Sequence, residues 1–94
     1  MNINLDAVNV LHNESKNRFE IQINSHTAVL AYATQGKTIL FTHTGVPPAL
    51  EGRGIGSKLV KTGLEYARAN NLKVKSTCWF VNKYIERHPE SVQE

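Results

Sequence analysis

The stretch Gly45-Val46-Pro47-Pro48-Ala49-Leu50-Glu51-Gly52-Arg53-Gly54-Ile55-Gly56-Ser57 ends in three glycines set one residue apart, directly ahead of a helical pattern. Glycine lets the backbone curl so that successive N–H groups face one concavity, and its missing side chain admits a close anion. A helix beginning near Ile55 adds its unpaired N–H groups and the positive end of its dipole. Arg53 and Lys58 add formal charge. These are the parts of a phosphate cradle, and a plain flexible turn is the alternative. No Gly-Lys-Ser/Thr closes the stretch, so it is not a P-loop. It is not a dinucleotide fingerprint either, because the strands ahead of it form an antiparallel meander and no further glycine follows at the required offset.

Downstream, Ile55, Leu59, Val60, Gly63, Leu64 and Ala67 recur as one face of a helix, with Asn70-Asn71 suited to its C-terminal cap. Leu72, Val74, Ser76 and Cys78 then alternate with Lys73, Lys75 and Thr77, which predicts a fifth strand. Phe80, Val81, Tyr84, Ile85 and His88 share one face of a second helix that Pro89 ends, leaving the last five residues frayed.

Upstream, four strands are expected. Residues 8–11 read as a short strand and residues 13–17 as polar turn. Residues 18–23 alternate strictly, so Phe19, Ile21 and Ile23 face a core and the polar residues face out. Residues 28–33 are almost continuously apolar, as in a central strand covered on both faces. A turn at Gln35-Gly36-Lys37 leads into a strand over residues 38–42. The strand–helix–strand crossover that follows places the fourth and fifth strands parallel. The expected class is α/β (α+β), with a mixed, mostly antiparallel five-stranded sheet and two helices.

Composition sets the bounds. Ninety-four residues with 40% apolar and 20% charged side chains suit one folded domain, residues 1–94. Residues 1–10 lack the basic and apolar regions of a secretory signal, and no apolar run approaches a membrane span. Cys78 is the sole cysteine, which excludes an internal disulfide and fits a reducing, cytoplasmic setting. The net charge of +3 is a mild excess, concentrated in Arg53, Lys58, Lys61, Arg68, Lys73 and Lys75. That clustering suits a local anionic ligand or a solvated helix face. A nucleic-acid binder using these lysines and the exposed Trp79 is disfavoured, since no aromatic platform interleaves with the charge.

Glu51-Gly52-Arg53-Gly54-Ile55-Gly56 resembles the acetyl-CoA pyrophosphate loop of the GNAT N-acetyltransferase superfamily, written Gln/Arg-x-x-Gly-x-Gly/Ala. Further ordered blocks (His43-Thr44-Gly45-Val46-Pro47, Leu72-Lys73-Val74, Cys78, and Tyr84-Ile85-Glu86-Arg87-His88-Pro89-Glu90) resemble a minimal, single-domain GNAT-like subfamily. The resemblance implies a truncated acyl-CoA N-acyltransferase fold, acetyl-CoA as the coenzyme and an amine as the acceptor. It also implies that backbone at Thr44, Gly45 and Val46 pairs with the pantetheine arm. Backbone N–H groups of Gly52, Arg53, Gly54, Ile55, Gly56 and Ser57 would hold the pyrophosphate, with Lys58 nearby. Tyr84 falls where a tyrosine protonates the departing thiolate; a half-buried aromatic with a solvated hydroxyl is its other reading. Cys78 follows the fifth strand and precedes a helix, so it is either a nucleophile that takes the acetyl group or a small inert core thiol.

Two positions depart from the pattern. Glu51 stands where the superfamily prefers Gln or Arg, and Gly45 stands where relatives often carry a glutamate able to deprotonate an acceptor amine. The chain also lacks room for the helices and strands that wall the acceptor groove in larger members. An open acceptor side fits a large acceptor such as a protein, or a module that binds or senses acetyl-CoA without transfer. His43 and His88 are secondary candidates as bases, His12 and His26 read as turn or strand-end residues, and no metal-ligand spacing is present.

Overall fold

Apolar residues alternating with polar ones make one face of a sheet sticky and the other wet, and the helices cover the sticky face. The structure, a computed structural model, describes residues 4–92. Its strands are β1 (Leu11–Asn13), β2 (Arg18–Ile23), β3 (His26–Gln35), β4 (Thr38–Gly45) and β5 (Lys73–Ser76). Helix α1 (Ile55–Ala69) joins β4 to β5, and α2 (Trp79–Arg87) follows β5. The spatial order is β1-β2-β3-β4-β5, antiparallel throughout except for the parallel β4–β5 pair. The expected mixed sheet and its parallel crossover are therefore present.

Phe19, Ile21, Ala28, Leu30, Ile39 and Phe41 form the buried face of the sheet. Ile55, Leu59, Val60, Leu64 and Ala67 of α1 pack onto it, as their spacing predicts. Gly63 brings the two layers together. A Cβ there would lie 2.9 Å from Leu30 Cδ2 and 3.0 Å from Phe41 Cε1, so only hydrogen fits. At the far end of α1, Asn71 takes the left-handed conformation (φ 55°) and the Asn70 amide donates to the Tyr66 carbonyl at 2.8 Å.

Several local expectations are corrected. The first strand starts at Leu11, later than residue 8, and residues Glu14–Lys16 form a 3-10 turn capped by the Asn13 side chain. β3 is not covered on both faces: Ala28, Leu30 and Tyr32 are buried, Val29 and Ala31 half-buried, and Ala33 exposed. Glu20 does not face water but is 5% exposed, because Arg18 and Asn13 both donate to its carboxylate. The Arg18 hydrogen bond outweighs the opposing effect of burial and holds this carboxyl below its ordinary pKa. His12 is a paired strand residue, stacked on Phe19 at 4.2 Å and bonded to the Tyr32 hydroxyl at 2.6 Å. After Pro89 the chain is held rather than frayed: Pro89–Ser91 is a 3-10 turn, Arg68 donates to the Glu90 carbonyl, and Val92 packs on the core. Residues 93 and 94 lie outside the described residues.

β4 is longer than its sequence reading. A bulge at Thr42 separates the pair Tyr32–Phe41 from Ala31–His43, after which β4 runs on beside β3 to Gly45. Its pairing with β5 covers only Thr38, Ile39, Leu40 and Phe41. The Thr77 amide donates to the Phe41 carbonyl at 3.0 Å, and from there the two strands part.

Filling the one-hydrogen gap at Gly63 should be costly. Gly63→Val is expected to lower the unfolding free energy by about 1–3 kcal/mol, read from urea denaturation. An unchanged midpoint would mean that α1 does not sit this close to the sheet.

Candidate functional site

Beyond Phe41 the free edge of β4 opens into a cleft of about 360 Å³. Thr44 and Val46 line one side, and Glu51, Gly52, Gly54, Ile55, Gly56 and Ser57 line the other, with Leu50 and Phe80 as apolar walls. The loop is pinned at both ends. Pro48–Leu50 forms a 3-10 turn that drives Leu50 into the core, and Ile55 is buried at the start of α1. Between these anchors the exposed residues 51–54 arch over the cleft.

The arch needs its glycines. Gly52 (φ 75°) and Gly54 (φ 80°) are left-handed, which side-chain-bearing residues adopt only with strain. Gly54 is also the N-cap of α1, and no side chain caps it. The amides of Ile55, Gly56 and Ser57 have no earlier carbonyl to bind within the helix, whose first bond is from the Lys58 amide to the Gly54 carbonyl. The first turn of α1 carries no acidic side chain to compete for them. Such a helix start attracts an anion through both its donors and its dipole. Gly56 has a second duty: a Cβ there would meet the Phe80 ring at 2.8 Å, so its hydrogen lets α2 close the wall.

The profile of the GCN5-related N-acetyl-transferase family (Acetyltransf_CG) matches residues 18–94. The chain belongs to that family. Protein NATD1 of Xenopus tropicalis is 35% identical over 86 residues, spanning 88% of this chain and 79% of that protein. Protein NATD1 of Mus musculus is 36% identical over 85 residues, spanning 87% and 77%. The NMR structure of a GCN5-like protein from Staphylococcus aureus superposes with a TM-score of 0.70 at 31% identity, covering 88% of this chain and 82% of that one.

The structure thus gathers Thr44, Val46, Gly52, Gly54, Ile55, Gly56 and Ser57 around one cleft. Arg53 is exposed on the arch, and Lys58 turns away to donate to the Leu5 carbonyl. Gly45 and His43 share the sheet face opposite Thr44, and a Cβ at Gly45 would lie 3.1 Å from His43 Nε2. Leu50 and Phe80 line the cleft although sequence reasoning assigned them no part in it. The signal available for Phe80 was Gly56, a glycine within a helix where an aromatic neighbour needs space.

Cys78, 9% exposed, sits under the parted strands with its Sγ 3.3 Å from Thr44 Oγ1. Burial pushes its thiol up, but hydrogen bonds from the Thr44 side chain and from the backbone of Val81, Phe80 and Thr44 outweigh it and leave the pKa below the ordinary value. Cys78 is therefore a buried thiol whose thiolate is stabilised by the structure. Tyr84 is half-buried on the far side of Ser57, its ring 4.5 Å from that of His88. Burial, followed by the charges of Glu65 and Glu90, keeps its phenol above the ordinary value, so it holds its proton at neutral pH. Among the described residues, no group of three or more His, Cys, Asp or Glu is arranged for a metal, and no helix is long and apolar enough to cross a membrane.

Because Thr44 donates to the thiolate form of Cys78, Thr44→Val should raise the pH midpoint of Cys78 alkylation by iodoacetamide and slow the reaction at neutral pH. A midpoint that stays in place would remove Thr44 from the account of this thiol.

Proposed function

We propose that residues 1–94 form one acetyl-CoA-binding domain that transfers the acetyl group to an amine acceptor, in a reducing, cytoplasmic setting. The observation that carries the proposal is the uncapped start of α1, opening onto a cleft beside the unpaired end of β4. The amides of residues 52–57 would take the pyrophosphate oxygens. The backbone of Thr44, Gly45 and Val46 would pair with the amide groups of the pantetheine arm as a replacement for the missing stretch of β5. Arg53, exposed on the same arch, would offset the charge of the Glu51 carboxylate toward a bound dianion.

The acetyl group would then reach the floor of the parted strands, where Cys78 lies. Its thiolate attacks the thioester carbonyl, the carbon–sulfur bond to the coenzyme breaks, and the released thiolate takes a proton from solvent, because the Tyr84 phenol expected for this step lines the grooves beyond Ser57 and not the cleft. The amine next attacks the acetyl-cysteine, restoring the Cys78 thiolate and giving up its proton to water. Thr44 serves this cycle by stabilising the thiolate at its start and end.

A second reading has its own observation. Gly45 offers no carboxylate on the acceptor face, and β3 is covered by helix on one side only. Both features suit a module that holds acetyl-CoA without rapid transfer.

Ser57→Asp separates stability from binding. An acidic residue in the first helical turn adds about 0.3–1 kcal/mol to stability while repelling a bound dianion. Thermal denaturation of the variant should match or exceed wild type, and the stabilising shift that acetyl-CoA gives the wild type should be lost. A full ligand shift in Ser57→Asp would sink the loop assignment. Intact-mass measurement after incubation with acetyl-CoA tests the cysteine: an acetyl increment lost in Cys78→Ala supports transfer through Cys78. Binding without any increment favours direct transfer or the non-transferring module.

A further inference from the structure

We propose that the N-terminal turn Leu5–Ala7 is a brace that holds the glycine arch in its ligand-ready shape, with Leu5 backing Gly54 and Lys58 as the positioning residue that anchors the brace. This rests on the coenzyme reading above and gives that site a support from outside residues 18–94, the part of the chain that the family profile matches. The middle of the arch is where such support matters. Leu50 and Ile55 are buried at its two ends, whereas residues 51–54 are exposed and include two glycines. Glycine has the most backbone freedom to lose, and only a few of its conformations aim successive amides at one anion.

The turn is itself a built element. The Asp6 amide donates to the Asn4 side chain at 3.1 Å, and the Val8 amide donates to the Leu5 carbonyl at 3.2 Å. Val8 and Val10 then pack on the core and tie the turn down on the side that leads into β1. From this base Leu5 presses on the arch: a Cβ on Gly54 would lie 2.9 Å from Leu5 Cδ1. Lys58 closes the connection from the helix. Its amide donates to the Gly54 carbonyl at 3.0 Å, and its ammonium donates to the Leu5 carbonyl. One residue thus binds Gly54 through its backbone and the turn behind Gly54 through its side chain. The ammonium makes that second bond a charge-assisted one, and the half-buried stem of Lys58 shields it.

The brace leaves the ligand's space clear. Gly54 and Ser57 line both the cleft and a neighbouring groove of about 540 Å³, and Leu5 lines only the groove. Leu5 therefore backs the arch from the side away from the cleft. An arch ordered in advance spares the ligand the cost of ordering it, so the brace raises affinity without touching the ligand. Lys58 acts here through the arch, since its ammonium is already committed to a carbonyl.

The test measures acetyl-CoA affinity by calorimetry for Leu5→Ala, Lys58→Met, Lys58→Arg and Leu5→Ala/Lys58→Met, and the amide heteronuclear NOE of Gly54 in each ligand-free protein. Leu5→Ala should weaken binding about three- to tenfold, by a factor that added salt does not change, because no charge is removed. Lys58→Met should weaken it too, and Lys58→Arg should stay near wild type because a guanidinium can donate to the same carbonyl. The double variant should lose far less than the product of the two single losses, since both act through one contact. The Gly54 NOE should fall in Leu5→Ala and in Lys58→Met. Both side chains lie half-buried at the surface, and thermal unfolding checks that every variant is folded at the titration temperature. Wild-type affinity in Leu5→Ala, or single losses that multiply in full, overturns the proposal and leaves the coenzyme reading standing. If the wild type binds no acetyl-CoA, the coenzyme reading falls and the NOE decides the brace: a value unchanged in both single variants overturns it.

Discussion

β4 and β5 begin as a parallel pair and separate after Phe41, and the rest of the molecule is arranged around that separation. The bulge at Thr42 redirects the end of β4 while its other edge stays bonded to β3 as far as Gly45. β5 meanwhile stops at Ser76, whose hydroxyl accepts from the Cys78 amide and donates to the Cys78 carbonyl, turning the chain into α2. A strand edge without a partner normally leaves backbone groups unsatisfied. Here it lies beside an uncapped helix start, so one cleft offers a ladder edge and a cluster of free amides together. That pairing of deficits is what a ligand with an amide-bearing arm and a diphosphate would satisfy.

Small residues set the dimensions of this arrangement. Gly63 fixes the height of α1 above the sheet, and Gly56 fixes the distance from α1 to the Phe80 ring. Leu50 and Ile55 then clamp the arch at both ends, leaving its glycines to choose the conformation. The buried thiol behind Thr44 belongs to the same geometry, because Thr44, which lines the cleft, stands on the freed part of β4 and reaches Cys78 from there.

Much of this was legible in the sequence where one physical rule acted alone. The period of α1 named the residues it buries against the sheet except Tyr66, whose ring packs on Phe19 and His12, and the alternation of glycines marked the arch. Reading failed where tertiary contact overrode local pattern. Glu20 alternates as a solvent residue should, yet Arg18 and Asn13 allow it to be buried. His12 lies in a polar run, but Phe19, Tyr32 and Tyr66 build an aromatic pocket for it from three distant segments. Val92 follows a helix-ending proline, and only the docking of Glu90 on Arg68 returns it to the core. The free backbone edge at Thr44, Gly45 and Val46 was expected only through the family resemblance, since no local signal states where a parallel pair must end.

The most direct test of the central claim is a two-dimensional amide NMR titration with acetyl-CoA. The account predicts that the largest shifts fall on the amides of residues 52–57 and on Thr44, Gly45 and Val46, with the Cys78 amide moving as the thioester settles beside it. Shifts confined instead to the groove at the opposite end of α1, around Arg68, Lys73 and Val92, would contradict it, as would a spectrum that does not change at saturating ligand.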